Sequence, residues 1–157
     1  MRHLTLALIA ATLLLASASA SALTAKQIVE KETVVQMPDG TETITRVEAS
    51  NIAPGERVVY TLSFINDDAE PASDLVLTMP VPEEIKYMDG TATRDGASIV
   101  FSTDGGQTFA ARDTLKASMA GVMRSATAAD ITHIRWTLAG PIASGESGNL
   151  SYKGILK

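Results

Sequence analysis

The chain contains no cysteine. That absence removes disulfides, thiol nucleophiles, thiolate metal sites and any lipid anchor on a cysteine, so stability has to come from packing. Histidine is nearly as scarce, with two in 157 residues, and His3 lies in the opening apolar segment. A zinc site of the ordinary nitrogen and sulfur kind is therefore excluded, and any serine–histidine–carboxylate arrangement would have to use His133. There is no basic stripe: the 13 lysines and arginines are scattered among 18 acidic residues. That balance argues against nucleic acid and against anionic lipid as partners. After the first apolar run none long enough to span a bilayer follows, so no integral membrane segment is expected after processing.

That first run has the pattern of a targeting signal. Arg2 and His3 form a short positive region, Leu4 to Leu15 an apolar stretch, and Ala16 to Ala22 a small-residue tract with several Ala-x-Ala sites. Residues 1–22 are expected to be a cleaved signal peptide, with cleavage after Ala20 or Ala22 and export to the periplasm or the medium. Removal would take one of the 13 positive residues and none of the 18 negative ones, leaving 12 against 18, a net charge of −6. The remainder suits one domain of the usual size, about 100–150 residues.

Residues 23–47 read as an N-terminal β-hairpin at the edge of the domain. Pro38-Asp39-Gly40 is its turn, because proline presets φ at the first corner and glycine accepts positive φ at the close. Beyond it Thr41, Thr43 and Thr45 alternate with Glu42, Ile44 and Arg46, and these charges discourage casual pairing with another chain. Residues 48–157 read as the sandwich itself. Pro54-Gly55 turns the chain into the clearest alternation, with Val58, Tyr60, Leu62 and Phe64 on one side and Val59, Thr61 and Ser63 on the other. Burial of each of those four side chains contributes roughly 1.5–3 kcal/mol. A polar reverse face suits an antiparallel sheet with one wet side.

Further strands follow. Leu75, Leu77 and Met79 share a face, Pro80 and Pro82 end the pairing, and Ile85 and Tyr87 point inward from a short strand. Asp104-Gly105-Gly106 joins 97–102 to 107–111 as a hairpin, with Ile99, Phe101 and Phe109 inward. Ile134, Trp136 and Leu138 share a face opposite His133, Arg135 and Thr137, and Leu150, Tyr152 and Leu156 alternate after a glycine turn. Between these pairs, Leu115, Met119, Val122, Met123 and Ala126 fall at helical spacing, with Asp113 placed to cap a start. Gly121 weakens that helix, so one short helix in 113–128 and an irregular crossover stand side by side. The sum is an all-β, antiparallel β-sandwich of about seven to nine strands.

Two stretches, APGERVVYTLSFIN and DLVLTMPVPEEIKYMDGTAT, resemble the conserved-repeat family called the eleventh "domain of unknown function", found in exported envelope proteins of bacteria and archaea. The shared features are Pro54, Gly55, Tyr60, Asn66, Leu75 to Met79, Pro80 or Pro82, and Tyr87. STDGGQTF and the tryptophan-strand, glycine-turn, last-strand order after Ile131 extend the likeness over Glu48 to Leu156. The resemblance implies an immunoglobulin-like sandwich and no known catalytic residues.

Five features have chemistry to weigh. Asn66, Asp67, Asp68, Glu70 and Asp74 offer hard oxygens within nine residues, as calcium needs, yet lack the glycine-punctuated spacing of an EF-hand loop. Asn66 serves equally as an Asx-type turn at a strand end. Ser102 to Phe109 resembles the Asp-box hairpin of sialidases, but in one copy and on a chain too short for a propeller, so Asp104 is expected to bond turn amides. His133 has no nucleophile elbow near it. Trp136 is in phase with core residues and is expected inside instead of serving as a sugar platform. Met119 to Met123 has two readings, a docking surface and a gap-filling lid over one end of the sandwich, and the lid is the one expected. No catalytic residue and no cofactor are assigned. The chain reads as an exported, non-catalytic sandwich with a structural or binding role in the envelope, meeting another envelope or secreted protein through loops or an edge strand. A carbohydrate-binding or glycosidase accessory module is the second reading.

Overall fold

The computed structural model describes residues 23–93 and 96–157, so the expected signal peptide lies outside it. Ten strands follow in chain order: β1 Leu23–Gln36, β2 Glu42–Glu48, β3 Arg57–Asn66, β4 Val76–Pro80, β5 Ile85–Tyr87, β6 Ala97–Ser102, β7 Lys116–Met119, β8 Val122–Ser125, β9 His133–Leu138 and β10 Ser147–Leu156. They form a five-stranded sheet of order β2-β1-β3-β10-β5, a three-stranded sheet of order β4-β9-β6, and a separate β7-β8 hairpin. Every pairing of named strands is antiparallel. The all-β antiparallel sandwich expected from the alternation is therefore the observed architecture, with ten strands in place of seven to nine.

The core is one cluster fed by both sheets. Val58, Tyr60, Phe64, Leu150 and Tyr152 enter it from β3 and β10, and Met79, Phe101, Ile134, Trp136 and Leu138 from the smaller sheet. Tyr60 and Tyr152 stack with ring centroids 5.0 Å apart, and Tyr87 leans on both Tyr152 and Phe101. The Tyr152 hydroxyl then donates to the Pro80 carbonyl at 2.6 Å, tying β10 of one sheet to the end of β4 in the other. Burial pushes that phenol well above its ordinary pKa.

β3 and β10 are entered by the same four-residue turn. Ala53-Pro54-Gly55-Glu56 precedes β3 and Ala143-Ser144-Gly145-Glu146 precedes β10, each glycine having positive φ. In each turn the glutamate carboxylate accepts from the alanine N–H, Glu56 from Ala53 at 2.7 Å and Glu146 from Ala143 at 2.9 Å. Each turn also clasps the far end of the other strand, Gly55 N–H to Leu156 C=O and Gly145 N–H to Asn66 C=O, both at 2.8 Å. The central ribbon is closed at both ends by one repeated device.

β10 also carries two inward glycines where bulk on neighbouring strands crosses it. A Cβ at Gly148 would stand 2.5 Å from Phe64 Cζ, and one at Gly154 would collide with Ile85 Cγ2. Their bareness lets those side chains lie over the strand.

Two sequence expectations fail. Residues 113–128 form neither a helix nor an irregular crossover; they hold the β7-β8 hairpin, and the one helical turn among the described residues is the 3-10 segment Ala128–Asp130. The reason is local: Ala120 and Gly121 both take positive φ, 50° and 81°, which is a two-residue hairpin turn of type I′ and incompatible with a continuing helix. Residues 107–111 are not a strand either. Only Ala110 bridges to Phe101, and Phe109 turns to the half-buried surface, where the Arg135 guanidinium carbon lies 3.6 Å from its ring centroid.

Candidate functional site

The residue types that chemistry would use are engaged in holding loops. Asn66 is fully buried: its amide donates to the Glu70 and Ile142 carbonyls, both at 2.9 Å, and its side-chain oxygen accepts from Asp68 N–H at 3.1 Å. It is the Asx-type turn, and it joins the 66–74 loop to the turn before β10. Asp67, Glu70 and Asp74 are exposed, and Asp68 half-buried. Among the described residues no group of three or more His, Asp or Glu is placed to hold a metal ion.

The Asp-box-like hairpin has the same character. Asp104 accepts from the Ser102 hydroxyl at 2.7 Å, from the Gln107 and Thr108 amides at 3.0 and 2.9 Å, and from the Thr108 hydroxyl. Those donors, the Thr108 hydroxyl foremost, hold its carboxyl far below the usual carboxylate range. The buried Ser102 hydroxyl in turn accepts from the Gly106 amide at 2.9 Å. The Asp104 carboxylate and the Ser102 hydroxyl are thus directed into their own turn, while the Thr103 hydroxyl donates to the Lys116 carbonyl at 2.8 Å. His133 packs its ring beside Gly106, with Nδ1 3.3 Å from the Thr132 hydroxyl, which itself donates to the Ser102 carbonyl and accepts from the Gly105 amide. Trp136 is 0% exposed and so offers no stacking face.

Most of the exposed large apolar side chains lie on two hairpins, Val76 on β4 apart. At the β7-β8 tip Met119, Val122 and Met123 are 59%, 68% and 64% exposed. The gap-filling lid expected for this stretch is therefore overturned: the side chains point away from the core. The base of the hairpin is firmly held, with Leu115, Ala117 and Ala126 buried. Arg124 makes a two-point pair with Asp130 at 2.7 and 2.8 Å, and Arg112 grips Asp89 at 2.7 and 3.0 Å while donating to the Ala126 carbonyl. A held stem thus presents bare methionine and valine to solvent.

The second is an arm made by β1 and β2. The first part of β1, Leu23 to Lys31, pairs with β3, and its last part, Glu30 to Gln36, pairs with β2. Past Lys31 the two strands therefore run on with no third beside them. All of β2 is exposed, and Val34 and Ile44, opposite one another, are 57% and 54% exposed. Where the arm leaves the sheet, the nearly buried Glu32 carboxylate meets Lys153 Nζ at 2.5 Å and Arg46 Nε at 3.8 Å, anchoring β1 and β2 to β10.

No protein-family model matches the chain, nor does any curated protein or solved structure. The β7-β8 hairpin was hidden from sequence reading because the apolar residues of 115–126 fit a helix face as well as a hairpin. The signal that separates the two is Ala120-Gly121, flanked by apolar residues on both sides.

Proposed function

We propose that this protein is an exported, non-catalytic sandwich of immunoglobulin-like kind that binds or spaces other components of the cell envelope. The observation that carries the reading is the division of labour in the molecule. Asn66, Ser102, Asp104, Thr132 and Tyr152 are spent on internal turns and clasps, while the most exposed large apolar side chains, Met119, Val122 and Met123, sit on one hairpin tip. Acid–base or nucleophilic catalysis needs polar groups that converge on open space, whereas binding needs exposed apolar area on a rigid support. The leader-like residues 1–22 and the absence of cysteine accord with an exported protein that relies on packing.

Cell fractionation joined to an activity panel tests it. The protein is expected in the periplasm or the medium with its first residue near Leu23, and inert on glycan arrays and hydrolase substrates. A cytosolic pool beginning at Met1, or turnover abolished by Asp68→Asn, would contradict it.

A further inference from the structure

We infer that the exposed edge of β2 pairs with the same edge of a second copy of this chain, about a two-fold axis through Ile44. The inference stands on register and charge and is independent of the envelope reading. Hydrogen bonds at the two ends of the hairpin fix which residues face its free side. Met37 N–H bonds Thr41 C=O at 2.8 Å and Ala49 N–H bonds Val29 C=O at 3.1 Å, so odd-numbered residues bond across the hairpin. By the alternation of an antiparallel ladder, Glu42, Ile44 and Arg46 then direct their N–H and C=O groups outward to the open edge.

An antiparallel partner must meet those three residues, and a second copy does so in one symmetric register. With Ile44 opposite Ile44, Glu42 lies opposite Arg46 and Arg46 opposite Glu42, while Thr43 faces Thr45. About Ile44 the segment Glu42-Thr43-Ile44-Thr45-Arg46 is symmetric in its threonines and opposite in charge at its two ends, so self-pairing leaves no like charges opposed. Three facing pairs supply six backbone hydrogen bonds. The side chains of the even-numbered residues share one face with those of β1, where Val34 lies beside Ile44 and Glu32 beside Arg46. In the dimer that face carries a row Val34, Ile44, Ile44, Val34, flanked on both sides by a row Glu32, Arg46, Glu42. Charges on an edge strand ordinarily repel intruding chains. Here their placement excludes a random strand and admits a second copy, as an isologous contact requires.

Sedimentation of the purified protein at about 100 µM, a concentration suited to a small interface, tests the inference. The parent chain is expected to be a dimer. Arg46→Glu and Glu42→Arg each set like charges face to face and are expected to sediment as monomers. An equimolar mixture of the two is expected to recover a dimer, because each strand then supplies what the other lacks, and the double variant Glu42→Arg/Arg46→Glu is expected to dimerise by itself. A monomeric parent chain, a dimer indifferent to both single reversals, or a mixture and a double variant that stay monomeric would overturn it.

Discussion

Asn66 shows how much a single side chain decides here. Its three side-chain hydrogen bonds are made inside the protein, and Asn66→Ala removes all three, while the Ile142 carbonyl keeps the Ala72 N–H as a donor at 2.9 Å. A loss of about 1–3 kcal/mol in all is expected, read as a lower midpoint in urea with unchanged slope. Tyr152→Phe, which removes only the bond to Pro80, should cost about 1–3 kcal/mol by the same measurement. Asp104 governs an acid limb. Its pKa is depressed in the folded state, so its stabilising effect is complete above the ordinary aspartate value near 4 and is lost as pH falls below it. Asp130, held down by Arg124, acts in the same direction. Melting temperature should therefore fall below about pH 4, and less steeply in Asp104→Asn than in the parent. These residues were partly legible: Asn66 and Asp104 stand where turn chemistry predicts, and the partners of the Asp104 carboxylate are local, but only the structure shows that one partner of Asn66, Ile142, lies across the fold.

At the scale of elements, alternation identified β3, β9 and β10 because each has one face committed to the core. It failed between 113 and 128, where a hairpin with a short buried stem and a long apolar tip imitates the 3.6-residue spacing of a helix. Propensity does not separate the two; the turn does. Gly121→Val forces a β-branched side chain into positive φ and is expected to destabilise by about 1–2 kcal/mol or more, whereas Ala120→Asn suits the same turn and should raise the urea midpoint. A helix would give the opposite order, since valine replaces glycine there with gain. The paired turns Ala53–Glu56 and Ala143–Glu146 were also readable as A-x-G-E, although their mutual clasp depends on the β3-β10 register that no local pattern contains. Leu23 to Gln36 shows a different limit: its mixed sequence has no clean period because its two halves serve different neighbours, β3 first and β2 afterwards.

Among the described residues a closed core is combined with exposed apolar side chains concentrated on two hairpins. Trp136 reports the first: its emission should be blue-shifted and resistant to iodide, since the ring has no exposed area. The second carries the functional claim. Pairing of arms would set two β7-β8 tips on one particle, and two tips bind a repetitive envelope surface more tightly than one through effective concentration. The most direct measurement is affinity capture from the native envelope fraction, comparing the parent protein with Val122→Asp/Met123→Asp, whose substitutions lie on exposed positions and spare the core. The account predicts a component retained by the parent and lost from the variant, with equal melting temperatures for both proteins. Equal capture by the two, or capture by neither, would contradict it.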